Sequence, residues 1–177
     1  SLNLAKYDEW KDTDVVEIAT YFLDGVMQEF IDKTNGKEAM RRTHNHAKKG
    51  RALGLGVMGW HTFLQKKNLP FTSIASTAWT HTIMSKVKME AEAASRKLAV
   101  EYGEPLWCKG TGMRNTHVMA IAPTVSNSRI SGCSAGIEPQ PANVYTFNGA
   151  KGTFIVKNKE LEKLLTERGF NTEKVWD

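Results

Sequence analysis

The residues best suited to chemistry in this chain lie in Pro123-Thr124-Val125-Ser126-Asn127-Ser128. A short apolar run, Val118 to Ala122, stops at Pro123, and hydroxyls follow at Thr124, Ser126 and Ser128. A strand that hands over to such a turn frees backbone N–H groups and hydroxyls to hold an anion, typically a phosphate. A few residues on, Gly132-Cys133-Ser134-Ala135-Gly136-Ile137-Glu138-Pro139 makes a second small-residue loop with one carboxylate, Glu138. Taken alone, the first loop also fits an ordinary Ser/Thr-rich turn. Two such loops so close together point to a substrate site.

Other candidate chemistry is weaker. Gly54-Leu55-Gly56-Val57-Met58-Gly59 has the spacing of a dinucleotide fingerprint, which also needs an acid about 20 residues on for the ribose. No Asp or Glu occurs from Arg51 to Met89, so these glycines read as sites of close packing. His44 and His46 are two apart, which on a helix puts them on different faces, and no Cys or carboxylate stands near to complete a metal set. No metal site is expected. Cys108 and Cys133 form no Cys-x-x-Cys pair and are expected to pack.

The elements that must position these residues can be read from periodicity. Asp14 with Glu17 suggests a capping box, and Val15, Ile18, Ala19, Phe22, Val26, Met27, Phe30 and Ile31 recur at helical spacing up to Gly36. A polar helix over 37–48, a strand over 51–57 and a brief helix around Trp60 to Leu64 follow. Residues 73–102 predict one long helix with Ile74, Ala78, Ile83, Val87, Ala91, Ala94 and Leu98 inward, stopped by Gly103 and Pro105. Strands over 143–147 and 152–156 predict a hairpin turning at Asn148-Gly149, and a helix over 158–168 closes on Gly169. Many helices and few strands suggest part of an α/β architecture.

With 177 residues, 41% of them hydrophobic, the chain has the size and core-forming content of one domain. Its net charge is +5, and Arg41, Arg42, Lys48, Lys49 and Arg51 account for all of it, because the other 19 basic residues match the 19 acidic ones. That run reads either as a solvated helix face or as a contact for an anionic partner. Two cysteines without a disulfide pattern, and no apolar stretch of membrane-spanning length, fit a cytoplasmic protein. Ser1 in place of an initiator methionine, and a helix-start signal at Thr172-Glu173 just before Asp177, read as cut ends.

Several motifs also carry a family resemblance. Arg114-Asn115, the apolar run, Pro123 to Ser128, Ile130-Ser131, Gly136-Ile137-Glu138-Pro139 and Ala142-Asn143-Val144-Tyr145 together resemble the C-terminal part of the catalytic barrel of a class I ribonucleotide reductase large (alpha) subunit. Upstream, Arg51 to Gly59 is similar to that family's glycine-bearing strand, and Ser1-Leu2-Asn3-Leu4 to the segment after its second redox cysteine.

The resemblance implies an α/β fold, a partial ten-stranded barrel, with residues 1–177 as a single fragment or split-gene piece of the catalytic domain. It implies reduction of ribonucleoside diphosphates at the ribose 2′ carbon through a thiyl radical. In such an enzyme the substrate phosphates are gripped at Pro123, Thr124, Val125, Ser126, Asn127 and Ser128, while Glu138 braces the barrel mouth. The family's radical-forming Asn-x-Cys-x-Glu sequence is absent, so no catalytic residue is expected here and the chain should be inactive alone. No cofactor is expected in this chain. The whole enzyme would need a small subunit with a metal or radical cofactor, a thiol reductant, and a complementary N-terminal large-subunit piece. A partial barrel is also expected to self-associate. The alternative is a non-enzymatic basic module that binds nucleic acid through the run from Arg41 to Arg51.

Overall fold

A computed structural model of the chain describes residues 1–149 and 152–176. The elements, in order, are β1 (Leu2–Asn3), α1 (Tyr7–Trp10), α2 (Val15–Thr34), α3 (Arg41–Gly50), β2 (Val57–Met58), α4 (Trp60–Lys66), α5 (Ile74–Tyr102), α6 (Val125–Ile130), β3 (Val144–Gly149), β4 (Gly152–Lys157) and α7 (Lys159–Glu167). β1 pairs in parallel with β2, Leu2 opposite Val57. Residues 117–120 run along the other side of residues 53–56, the extended lead-in to β2, joined by a single parallel bridge between Leu55 and Met119. Three parallel extended segments therefore lie side by side, linked by helical crossovers, as an α/β chain requires. Among the described residues they do not close into a barrel.

Two glycines let these segments meet. A methyl at Gly56 would run into the carbonyl oxygen of Ala120, and one at Gly54 would sit 3.1 Å from the Ala120 Cβ. The close-packing reading of this glycine run therefore holds, and no dinucleotide crevice is needed to explain it.

The helices pack a core onto this sheet. Leu4, Val16, Val57, Leu64, Ile83, Val87 and Ala91 are buried in it, each larger apolar side chain stabilising by about 1.5–3 kcal/mol. Tyr7 lies edge-on to Trp10, Phe63 and Trp79, with Tyr7 and Trp10 ring centroids 5.1 Å apart. The long helix forms as expected, from a Ser73 cap whose hydroxyl accepts the Ser76 N–H to Gly103 at φ 81°. Its inward face begins later than the spacing suggests. Ile74 is 89% exposed and Ala78 is exposed too, because Ser76 takes the buried position in the first turn.

Helix α2 departs further from its sequence reading. Asp14 precedes it but makes no side-chain cap, and Glu17 turns instead to Lys97, 2.6 Å away. The buried face is Val16, Thr20, Asp24, Ile31 and Thr34, while Ile18, Phe22 and Val26 are exposed. An ionic cluster at Asp24 fixes that rotation. In the hairpin, Asn148 and Gly149 lie within β3, opposite Thr153 and Gly152. The turn expected at Asn148-Gly149 is therefore not made by those two residues, which pair within the hairpin; Ala150 and Lys151 lie outside the described residues. Among the described residues no helix is long and apolar enough to cross a membrane.

Candidate functional site

The extended segment 117–120 leads into the turn at Pro123. Thr124 takes φ 49°, ψ 26°, the left-handed region, and so redirects the chain into α6. That conformation is costly for a β-branched residue, on the order of 1–3 kcal/mol, and persists only where neighbours enforce it. Here the Gly136 N–H donates to the Thr124 hydroxyl oxygen at 2.9 Å, which leaves the hydroxyl proton of Thr124 available to a ligand. The first intrahelical bond runs from the Ser128 N–H to the Thr124 carbonyl at 2.8 Å. The N–H groups of Val125, Ser126 and Asn127 thus have no acceptor within the helix and point out of its open end. Val125, Ser126 and Asn127 are exposed. Ser128 differs from the other hydroxyls: it is 2% exposed and donates to the Val125 carbonyl at 3.2 Å. It shapes the turn from inside.

The second loop is fastened to the first and to α4. The Gly59 N–H donates to the Ser134 carbonyl at 2.8 Å, and Thr62 and Ser134 exchange two further bonds through their hydroxyls. The Gln140 N–H donates to His61 Nδ1 at 3.0 Å. Burial holds the His61 imidazole below its ordinary range, which keeps that nitrogen free to accept. Between α6, this loop, the hairpin and the start of α7 lies a cavity of about 700 Å³, with Val125, Arg129, Glu138, Tyr145 and Lys159 on its walls. Glu138 is exposed on that wall. Pro123 is exposed at the start of the turn. Thr124 and Glu138 thus come to the same region, as the sequence suggested, although Glu138 and the open end of α6 are not linked by a hydrogen bond.

A second cluster, which the sequence reading missed, sits at the other end of the strands. Asp24 is buried, and its carboxylate accepts from Arg51 Nε (2.9 Å) and Nη2 (2.8 Å), Arg114 Nε (2.9 Å) and Asn115 Nδ2 (2.9 Å). Asn115 also donates to the Arg51 carbonyl, and its own side-chain oxygen accepts from Ser95 at 2.7 Å. Arg114 reaches the carbonyls of Tyr102 and Gly103. Burial alone would raise the Asp24 carboxyl, but the donors from Arg51, Arg114 and Asn115 outweigh it and hold it below its ordinary value. The signal for this cluster was in the chain: Asp24 continues the helical spacing of Val16, Thr20 and Ile31.

This cluster breaks up the basic run. Arg51 is 5% exposed and spent on Asp24, and Arg41 pairs with Glu38 at 3.3 Å. Arg41, Arg42, Lys48 and Lys49 remain exposed on α3, with Arg41 paired to Glu38 at the surface. His44 bonds to Thr34, and His46 packs edge-on to Trp107. Among the described residues no three His, Cys, Asp or Glu side chains gather as a metal site.

The family match decides what this arrangement is part of. The chain matches the ribonucleotide reductase barrel domain over residues 1–109 and 107–177. It belongs to the ribonucleotide reductase family. It is 38% identical over 178 residues to the ribonucleoside-diphosphate reductase large subunit assigned in Frog virus 3 (isolate Goorha), covering 100% of this chain and 32% of that protein. It is 38% identical over 170 residues to the ribonucleoside-diphosphate reductase large subunit of Invertebrate iridescent virus 6, covering 95% of this chain and 18% of that protein. Among solved structures, the Actinobacillus ureae class Id ribonucleotide reductase alpha subunit is similar at 44% identity and a TM-score of 0.89, over 98% of this chain and 32% of that one. The chain thus spans about a third or less of these large subunits, and its helix-rich α/β fold matches part of the reductase barrel.

Within that reductase frame, neither cysteine has the setting of an activated thiol. Cys108 is 2% exposed, and burial with nearby Glu104 pushes its thiol up. Cys133 is half-buried, and burial raises it against a smaller opposing pull from Lys66.

Proposed function

We propose that this chain forms part of a ribonucleoside-diphosphate reductase large subunit and supplies the turn that grips the substrate's phosphates. The observation that carries the reading is the left-handed Thr124, which opens α6 on three N–H groups without an acceptor in the helix, next to the Thr124 hydroxyl and the exposed Ser126. An anion there meets converging N–H donors at the start of a helix, with Arg129 and Lys159 on the adjoining cavity wall. Pro123 sets the approach of the strand, Ser128 shapes the turn from within, and Asn127 contributes its N–H. Glu138 braces the facing wall.

The reaction is the exchange of the ribose 2′-hydroxyl for hydrogen. This chain's part is to hold the diphosphate so that the ribose is presented to thiols supplied by the rest of the enzyme. Residues 1–177 then act as one piece of the catalytic barrel. Their partners are a ribonucleoside diphosphate, a complementary N-terminal large-subunit piece, and a radical-generating small subunit with its metal or radical cofactor. A thiol reductant completes the cycle. The exposed Ile18, Phe22 and Val26 stripe on α2 supports an apolar partner, and without one, self-association.

The test is diphosphate affinity in the reassembled enzyme. Ser126→Ala removes one hydroxyl and should weaken binding by about 1 kcal/mol, near fivefold. Ser126→Glu sets a carboxylate against the phosphate and should abolish binding. Unchanged affinity in the glutamate variant removes this turn from the site.

A further inference from the structure

We propose that Asp24 is a positioning residue for the anion-binding turn, acting through a closed ring of contacts that runs the length of two strands. The proposal rests on the reading of residues 124–127 as a phosphate grip. The ring starts at the buried carboxylate, which holds Arg51 and Asn115 side by side at the beginnings of two neighbouring extended segments. One segment runs from Arg51 to Gly59 and ends on the second loop, through Gly59 N–H to Ser134 (2.8 Å) and Trp60 N–H to Gly136 (3.3 Å). The other runs from Asn115 to Thr124. The Gly136 N–H closes the circuit on the Thr124 hydroxyl.

The ladder between the two segments is too sparse to set this alignment by itself. It consists of one bridge, Leu55 to Met119, with three N–H bonds, from Leu53 to His117, Leu55 to Val118 and Ala120 to Leu55, next to a fourth from Thr116 to the Gly50 carbonyl at the end of α3. Glycines at 54 and 56 remove the side chains that would interlock the faces, and register is weakly specified in glycine-rich strands. A slip of one residue would move Thr124 by about 3.3 Å against Gly136 and break the bond that holds its left-handed conformation.

The ionic cluster supplies the missing constraint. Arg51 is itself left-handed, at φ 46°, a position where helices usually place glycine. An arginine with that strain is retained because its guanidinium forks onto Asp24 while its carbonyl accepts from Asn115. Buried ion pairs often contribute little net stability compared with apolar replacements, and setting register is their best-attested use. Ser95 locks the second segment in the same way, its oxygen accepting the N–H groups of Arg114 and Asn115 at 3.2 and 3.1 Å.

The experiment uses the full chain, labelled with ¹⁵N, and inorganic pyrophosphate as the probe. Asp24→Asn keeps the size of the side chain and removes its charge. Arg114→Lys, which keeps the charge and loses the Nε donor, serves if the first variant does not fold. Val87→Ala, in the core and outside the ring, is the control for a general loss of stability. Expected are a fivefold or greater loss of pyrophosphate affinity and at least tenfold faster hydrogen exchange at the Gly136 amide in the Asp24 or Arg114 variant. The control should change neither by more than twofold.

Wild-type affinity in Asp24→Asn, or equal losses in the variant and the control, overturns the proposal. If the wild-type chain itself ignores pyrophosphate, the phosphate reading fails. The positioning claim is then judged on exchange alone: faster exchange at Gly136 only in the ring variants upholds it, and unchanged exchange ends it.

Discussion

The same substitution, glycine to alanine, should have opposite signs at two positions in this chain. Gly25 lies inside α2, is exposed, and a Cβ built on it meets nothing within 4 Å. Alanine there loses no contact and gains helix propensity, so stability should rise by about 0.5–1 kcal/mol. Gly56 faces the carbonyl of Ala120, a backbone atom that cannot swing aside. Relieving that clash means parting residues 53–56 from residues 117–120. Overpacking of this kind costs roughly 1–3 kcal/mol, and the Leu55 and Ala120 hydrogen bonds lost with it about 1 kcal/mol each. A net loss of about 3–5 kcal/mol follows. At about 2–4 °C per kcal/mol for a chain of this size, Tm should rise a few degrees for Gly25→Ala and fall by about 6–20 °C for Gly56→Ala. Urea denaturation followed by circular dichroism, with thermal melts alongside, measures both. A neutral Gly56→Ala would show that the strands do not depend on that glycine for their spacing.

Asp24→Ala leaves two arginines unpaired in the interior and should cost about 3–5 kcal/mol, measurable by the same denaturation. The folded Asp24 carboxyl lies below its unfolded value, so its contribution is complete above about pH 4 and is lost as pH falls through the folded value. Wild-type stability should therefore drop steeply in that acid range, and Asp24→Asn should flatten the drop; parallel profiles would refute the assignment. Both thiols are raised by burial, so alkylation at neutral pH should be slower than for a free thiol, with Cys133 labelled before the nearly inaccessible Cys108. Mass-resolved labelling at free-thiol rates on both would contradict this.

Much of the fold was legible because periodicity dominated it. The 73–102 helix, the hairpin strands and the 158–168 helix are set by local spacing, caps and glycines, which a sequence displays directly. The turn after Pro123 was legible for the same reason, since a strand stop and small hydroxyl residues are local signals. What sequence reading lost was pairing at long range. Glu17 as a capping-box partner is good local chemistry, but Lys97 on another helix competes and wins. Helical spacing marks Ile18, Phe22 and Val26 as one apolar stripe of α2 but does not tell which face is buried; Asp24 decides that by drawing in Arg51 and Arg114. Arg51 looked like one member of a basic run because nothing near it in sequence reveals a partner 27 residues earlier. The inward turn of Ser128 follows from the geometry of one short helix, which composition does not encode.

The spread of these contacts along the chain also sets an order in time. Thr124 and Gly136 are 12 residues apart, whereas Thr62 and Ser134 are 72 apart and Asp24 and Asn115 are 91 apart. Closing a loop of about 90 residues costs roughly 2 kcal/mol more chain entropy than closing one of 12. The small clasp at Thr124 can therefore form early, on a chain that has not yet found its neighbours, while the ionic cluster waits for α2, α5 and the strands to assemble. Contacts absent from the folding transition state act mainly on the rate of leaving the native state. Asp24 is then a brake on unfolding: weakening it should shorten the lifetime of the folded chain and leave its refolding rate nearly unchanged.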